Sequence, residues 1–400
     1  MGKRENKLEI SGQYSQCPLF LSIDTYEGCS NDCRYCFVHY QHERQIRGRE
    51  RRQGIHRALL TNWERVINGE KINNPLVEYL VSKKHPIQLG TKSDPFPRGI
   101  EEEVKNTRRF LEMCNRVSYP VYINTKNTGN MPLDLLSEGN YVLAVSLASH
   151  RAEDIRNLEN HTSDPMERLQ KIPKGVFKKV VAKWQPFIPQ LFIPGKKTDE
   201  LVSWDEIDGF LDMISAVADA ISISWLNRAT IKDHALLDEL GPDDMEELDE
   251  LELLMGVRTR AHRRGLEFYT ANYRALSDSP ICCGLREDEF KTATPWVWGF
   301  LIWKLFSRQQ EYLIVKDLEA AFPDELRDVM FSTVNIIAFN RWARYSAKKT
   351  TILDQYINNF TMNRTTNPVN YFAGLYSRIV DNEYRIYFKD YRELVTGQSD

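Results

Sequence analysis

Cys29, Cys33 and Cys36 stand as Cys-Ser-Asn-Asp-Cys-Arg-Tyr-Cys, a C-x-x-x-C-x-x-C spacing with an aromatic residue before the last cysteine. A [4Fe-4S] cluster is usually held by four thiolates, so a compact loop that supplies three leaves one iron open to a chelating ligand. Two other readings of the triplet stay open. A structural zinc ion takes a fourth Cys or His at ligand spacing, and His39 and His42 stand close enough in sequence to supply it, although zinc motifs usually come as two close pairs. Disulfides fit less well, because the cysteine count of 7 is odd, no signal peptide is read at the start of the chain, and a chain of this length needs no staples. Cys17 and Cys114 sit in apolar surroundings and read as core residues.

Composition bounds the class. With 42% hydrophobic and 27% charged residues the chain reads as an ordinary soluble enzyme, and its formal net charge of −3 gives no long-range attraction to nucleic acid. The nearest approach to a membrane span is Trp296 to Phe306, interrupted by Lys304 and shorter than the roughly 18 residues a span requires. A cytoplasmic location without membrane attachment is expected, and that reducing compartment suits an oxygen-sensitive cluster. Nothing in the sequence sets an oligomeric state.

Short apolar runs must position these thiols. Strands are read near Leu19–Ile23, Ile87–Leu89, Val121–Ile123, Val142–Ser146, Val180–Gln185, Ile221–Ser224 and Leu266–Tyr269. Amphipathic stretches lie between them at Glu101–Asn115, Asp164–Ile172, Ser203–Val217 and Asp243–Arg264. The last two open on capping-box patterns, Ser203/Glu206 and Asp243/Glu246, and Gly265 closes the final one. Strands alternating with helices predict an α/β fold with a parallel sheet, in which residues just after each strand are the functional candidates. We divide the chain into an N-terminal extension (1–17), a partial (β/α)6-type barrel (18–280) and a helical C-terminal region (281–400). That last region is marked by Trp296, Trp298, Trp303, Phe306, Phe331 and Trp342. Its expected role is to cover the open side of the barrel or to shape a substrate pocket.

Four stretches beyond the cysteines carry a resemblance. Tyr26-Glu27-Gly28-Cys29 and Cys36-Phe37 flank the loop. Leu89-Gly90-Thr91-Lys92-Ser93-Asp94-Pro95-Phe96 follows the second strand and leads to Asn106-Thr107-Arg108-Arg109. Pro120-Val121-Tyr122-Ile123-Asn124-Thr125-Lys126 ends a strand on Thr-Lys. Val145-Ser146-Leu147 is followed by Leu158-Glu159 and by Pro165-Met166-Glu167-Arg168-Leu169. In order and spacing these resemble the spore photoproduct lyase and DNA repair photolyase-like branch of the radical SAM superfamily, over roughly residues 18–200.

The resemblance implies a partial (β/α) barrel, a [4Fe-4S] cluster on Cys29, Cys33 and Cys36, and S-adenosyl-L-methionine on the open iron. Cleavage to a 5′-deoxyadenosyl radical would then abstract hydrogen from substrate, with a reductase such as flavodoxin or ferredoxin supplying the electron. It further implies Gly90, Thr91 and Ser93 beside the methionyl amine and Lys126 on the methionyl carboxylate. Ser146 would lie on that carboxylate or the ribose, with Glu159 and Arg168 completing the cofactor shell. Asp94 reads either as a substrate contact or as the cap of a helix entered through Pro95 and Pro97.

One departure bears on the reaction. Thr91 stands where spore photoproduct lyase places the cysteine that returns a hydrogen atom to its product, and an O–H bond is too strong for that task. Cys282 and Cys283, after the seventh strand, are candidates for a thiol donor, for a second cluster or for a buried structural pair. For the substrate, Arg44, Arg47, Arg49, Arg51, Arg52 and Arg57 suit phosphates, yet Glu43 and Glu50 among them also suit a solvated segment. Lys183 and Trp184 end the fifth strand, where an indole either stacks on a base or packs in the core, and Asn227 follows the sixth. The favoured substrate is a nucleobase or modified DNA, handled by a lyase, isomerase or modifying enzyme. A peptide or small metabolite is the alternative, and a non-catalytic iron–sulfur or zinc module for nucleic acid is the alternative outside catalysis.

Overall fold

The computed structural model describes residues 9–10, 19, 21–38, 54–55, 57–72, 75–82, 84–193, 200–241, 247–270, 276–278, 283–286, 312–314, 375–380 and 383–388. In chain order the strands are β1 (Glu9–Ile10), β2 (Leu21–Ile23), β3 (Tyr26–Glu27), β4 (Gly54–Ile55), β5 (Ile87–Leu89), β6 (Pro120–Thr125), β7 (Asn140–Ser146), β8 (Lys179–Phe187), β9 (Ala220–Trp225) and β10 (Glu267–Thr270). One sheet runs β1-β2-β5-β6-β7-β8-β9-β10. From β2 to β10 every neighbour is parallel, and β1 joins the outer edge antiparallel. The α/β class and the seven expected strands are thus observed. The sheet is open, since among the described residues β10 pairs with β9 alone.

Alternation gives this sheet two unlike faces. Val121, Ile123, Leu143, Val145, Ala182, Trp184, Ile221, Ile223 and Phe268 pack in one large core with residues of the helices, such as Phe110, Leu111, Phe210 and Val257. The other face is apolar only in its lower part, where Tyr122, Val142, Ala144, Val181, Ala220 and Tyr269 meet Leu19, Cys283 and Leu285. Towards the C-terminal strand ends that inner face turns polar, with Asn124, Ser146, Lys183, Gln185 and Ser222.

Caps set the helix starts. Asp164 accepts from Met166 N at 2.9 Å, Ser203 from Glu206 N at 3.5 Å and Asp233 from Leu236 N at 2.9 Å. The helix expected over Glu101–Asn115 is two helices, Ile100–Val104 and Asn106–Arg116, separated at Lys105 with φ of 58°. The break follows from Glu101. Its buried carboxylate accepts from Thr107 N (3.1 Å) and Arg108 N (2.8 Å), capping the second helix from within the first.

In the C-terminal region, expected to be helical, the described residues from 312 onward are strands. β11 (Tyr312–Ile314), β12 (Leu375–Val380) and β13 (Glu383–Phe388) form an antiparallel sheet in the order β11-β13-β12. Trp296, Trp298, Trp303, Phe306, Phe331 and Trp342 lie outside the described residues, as do Asp243, Cys17, His39, His42, Cys282 and the arginines from Arg44 to Arg52. No helix among the described residues is long and apolar enough to cross a membrane.

Candidate functional site

The cysteine loop follows β3, and Gly28 (φ 76°) turns the chain into it. Three tethers hold it at the C-terminal ends of the parallel strands. The first runs through Asp94, a buried carboxylate. It accepts from Asn31 Nδ2 (3.1 Å), Thr125 Oγ1 (2.9 Å), Lys126 N (2.8 Å) and Phe96 N (3.0 Å), while Asn127 Nδ2 donates to Asn31 Oδ1 (3.1 Å). Both oxygens of Asp94 are therefore spent on the protein. The substrate role read for Asp94 has no acceptor left, and the capping role fails because the helix beyond Pro97 starts only at Ile100.

The second tether is a backbone bridge between Cys33 and Glu159, extended by Arg34 N donating to Leu158 O at 2.9 Å. Around it lies a buried charge network. Lys126 Nζ donates to Glu159 Oε1 at 2.7 Å and to the Tyr35 hydroxyl at 2.8 Å, and that hydroxyl donates to Glu159. Arg168 meets Glu159 Oε2 at 2.6 Å, Ser146 O at 2.8 Å and Ser163 O at 3.0 Å. Burial alone would raise the Glu159 carboxyl, but Arg168 and Lys126 outweigh it and hold the pKa at about 2. The side chains of Glu159 and Arg168 are both 0% exposed. Neither therefore completes a cofactor shell by direct contact; they orient Lys126, which keeps one N–H beyond these two partners.

The third tether is Arg34, whose guanidinium meets Asp233 (Nε, 2.6 Å) and Glu239 (Nη1, 2.8 Å; Nη2, 2.9 Å) on the connection after β9. Asn31, Arg34 and Tyr35 were not singled out in the sequence. Only their place inside the cysteine motif could have flagged them.

Gly90 is explained by packing. At φ 82°, a Cβ there would sit 2.6 Å from Asn124 O and 2.7 Å from Pro95 Cδ. The segment after it is organised by Asp24, which accepts from Thr91 Oγ1 (2.8 Å), Lys92 N (2.9 Å) and Ser93 N (3.0 Å); Ser93 Oγ also donates to Tyr26 O at 2.9 Å. Asp24 was missed in the sequence because a single carboxylate after a strand carries no spacing signal.

Burial pushes the Cys29 thiol up to about 12, reinforced by Asp94 and opposed by backbone N–H groups of Asn31 and Asp94. The Cys33 thiol is also raised, by burial and then by Glu159. Cys33 feels Cys29 and Cys36, and Cys29 feels Cys36; among the described residues no group of three Cys, His, Asp or Glu is placed to hold a metal ion.

Of the remaining candidates, Trp184 is placed in the core. It is 0% exposed, with ring centroids 4.1 Å from Phe210, 4.6 Å from Phe187 and 4.9 Å from Phe192. Its Nε1 donates to Ala148 O at 3.3 Å, so no face is left for a base. Lys183, one residue earlier, points to the opposite, inner face and donates to Asn124 Oδ1 at 3.0 Å. Cys283 is buried on the floor of that face, its carbonyl accepting from the Tyr122 hydroxyl at 2.6 Å. Asn227 ends the turn after β9 with a buried Oδ1 that has no partner among the described residues.

No family model matches the chain. Over 194 residues it is 27% identical to uncharacterized proteins of Mycobacterium tuberculosis and Mycobacterium bovis, covering 46% of this chain and 54% of theirs. The chain thus spans about half the length of the curated relatives it matches. Among solved structures it is similar to Streptococcus suis SuiB bound to S-adenosylmethionine, at 14% identity and a TM-score of 0.40, covering 64% of this chain and 48% of that one. SuiB bound to its precursor peptide SuiA gives the same identity and TM-score, with 49% of that chain covered.

Proposed function

We propose that this chain is a radical SAM enzyme in which Cys29, Cys33 and Cys36 hold a [4Fe-4S] cluster. The observation that carries this reading is the cysteine loop itself. It is tethered at the C-terminal ends of parallel strands with its thiols neighbouring one another, beside an oriented lysine, Lys126. When bound, the cluster and S-adenosyl-L-methionine supply a 5′-deoxyadenosyl radical, fed by a flavodoxin or ferredoxin type of reductase. The chain's own part is positioning. Lys126 offers its remaining N–H, and the Ser146 hydroxyl has no partner among the described residues. The Asn31 and Asp94 amides face Cys29 and favour its thiolate.

For the substrate we propose a nucleobase or nucleotide-linked group, which rests on the motif series shared with the photolyase-like branch. The absence of a cysteine at Thr91 favours a bond-breaking or rearranging reaction that needs no thiol at that position. The test is anaerobic reconstitution and reduction, followed by measurement of 5′-deoxyadenosine with duplex DNA, single-stranded DNA, free nucleotides or peptide present. Release by wild type and none by Cys29→Ala/Cys33→Ala/Cys36→Ala supports the radical reading, and stimulation by DNA or nucleotide supports the substrate. Cluster absorbance without cleavage would overturn catalysis in favour of a binding module, and stimulation by peptide alone would overturn the nucleobase.

A further inference from the structure

The inner face carries lysines of different status. Lys126 is paired with Glu159, and Lys179 with Glu267. Lys183 has no carboxylate partner among the described residues. Its ammonium donates to Asn124 Oδ1 at 3.0 Å and stands 6.0 Å from the centre of the Tyr122 ring. A half-buried ammonium beside a neutral amide and an aromatic ring is incompletely compensated, and burying a charge is unfavourable unless it is paired.

Register places this charge. Ser146 pairs with Lys183, and Lys183 with Ser222. Lys126 follows Thr125, the partner of Val145, and so comes alongside Ser146. These residues make one row across β6 to β9, and the unpartnered Ser146 hydroxyl lies between the two lysines. Asn124 belongs to the row beneath, because it pairs with Ala144. Lys183 therefore leans downwards, away from the cysteine loop, towards the apolar floor made by Tyr122, Val181, Ala220 and Cys283. Gln185 donates to Ser222 Oγ at 3.1 Å and walls the same side.

We infer that Lys183, with Asn124, is the anchor for an anionic oxygen group, a carboxylate or a phosphate, carried by the substrate. This rests on the proposed function, with its substrate meeting the C-terminal strand ends, where the sequence places Lys183 among the substrate candidates. Lys126 meets the loop residue Tyr35 and serves the level of the cluster, whereas Lys183 serves the level below it. The substrate is then an anion whose charged end meets the inner face of the sheet first, so that the rest of it lies nearer the loop.

The test is calorimetric titration of the reconstituted full chain at low ionic strength, with methyl phosphate and acetate as separate probes and S-adenosylhomocysteine as a third. Iron content is measured on each sample. The expected result is that methyl phosphate or acetate binds wild type, the tighter of the two naming the source. Affinity falls at least tenfold in Lys183→Met and in Lys183→Gln, is kept in Lys183→Arg, and S-adenosylhomocysteine binding is unchanged. Two variants guard against one that misfolds, and native far-ultraviolet dichroism is required of each. No binding of either anion by wild type overturns the inference, as does equal binding by the variants, or a loss confined to S-adenosylhomocysteine. Failure of the radical reading is separate, because it shows as absent iron while the anion titrations still report on Lys183.

Discussion

Lys126 and Glu159 meet at 2.7 Å, one just past the end of β6 and the other at the end of the helix Ala152–Leu158, and the backbone of Glu159 also bridges to Cys33. One residue thus fixes both the candidate cofactor lysine and a candidate cluster ligand. Removing its charge leaves Lys126 and Arg168 facing each other without compensation. Loss of one partner from a buried ion pair destabilises by about 3–5 kcal/mol. We expect Glu159→Gln to lower stability by an amount of that order in urea unfolding of the metal-free chain and to reduce iron bound per chain after reconstitution. Normal values of both would show that the network does not hold the loop.

The same carboxyl gives a pH dependence. Its folded pKa is about 2, below the roughly 4.3 of a free glutamate. Its contribution is therefore complete above pH ~4.3 and is lost as pH falls towards 2. The stability difference between wild type and Glu159→Gln should be constant at pH 5–7 and should shrink as pH drops from ~4.3. A gap that holds constant down to pH 3 would contradict this assignment of charge.

Asp94 carries the loop from the opposite side, with neutral donors on both oxygens. In Asp94→Ala those buried donors lose their acceptor, at about 1–3 kcal/mol for each one left unsatisfied. We expect a lower melting temperature and a larger fractional loss of iron than in Asp94→Asn, which keeps one oxygen. Equal iron in both variants would show that Asn31 needs no anchor.

Much of this arrangement was legible because strands buried on both faces write themselves as short apolar runs, and each of the seven was read from residues such as Ile87–Leu89 and Val142–Ser146. What escaped depends on partners remote in sequence. The break at Lys105 comes from the Glu101 carboxylate turning onto Thr107 and Arg108, and a periodic helical pattern does not reveal it. Asp94 looked like a cap since Pro95 follows it, while its side-chain partners Thr125 and Asn31 lie 31 and 63 residues away. The C-terminal strands had a signal of their own. Glu383–Ile386 alternates polar and apolar residues just after Asp-Asn, a hairpin pattern, which the aromatic richness of the region outweighed.

Gly90 gives a prediction independent of any cofactor. Alanine there must hold φ near 82° with its Cβ 2.6 Å from Asn124 O, and backbone strain of this kind costs about 1–3 kcal/mol. Gly90→Ala is expected to lose that much in urea unfolding of the metal-free chain. If instead stability is unchanged and only S-adenosylhomocysteine binding weakens, the glycine serves ligand approach and not the contact between β5 and β6.

Trp184 and Lys183 are adjacent and point to opposite faces of β8, so the two substitutions should separate stability from binding. Trp184 fills the aromatic core with Phe187, Phe192 and Phe210, and truncating such a residue costs about 3–5 kcal/mol. Trp184→Phe, which keeps most of the ring volume, is expected to lose less stability and to leave methyl phosphate and acetate binding at the wild-type level. Lys183→Met is expected to do the reverse, with a melting temperature at or above that of wild type, because an ammonium with no carboxylate partner among the described residues leaves a half-buried site. A Trp184→Phe chain of native stability that fails to bind nucleotide would return the indole to the substrate site, against the packing that places it behind the sheet.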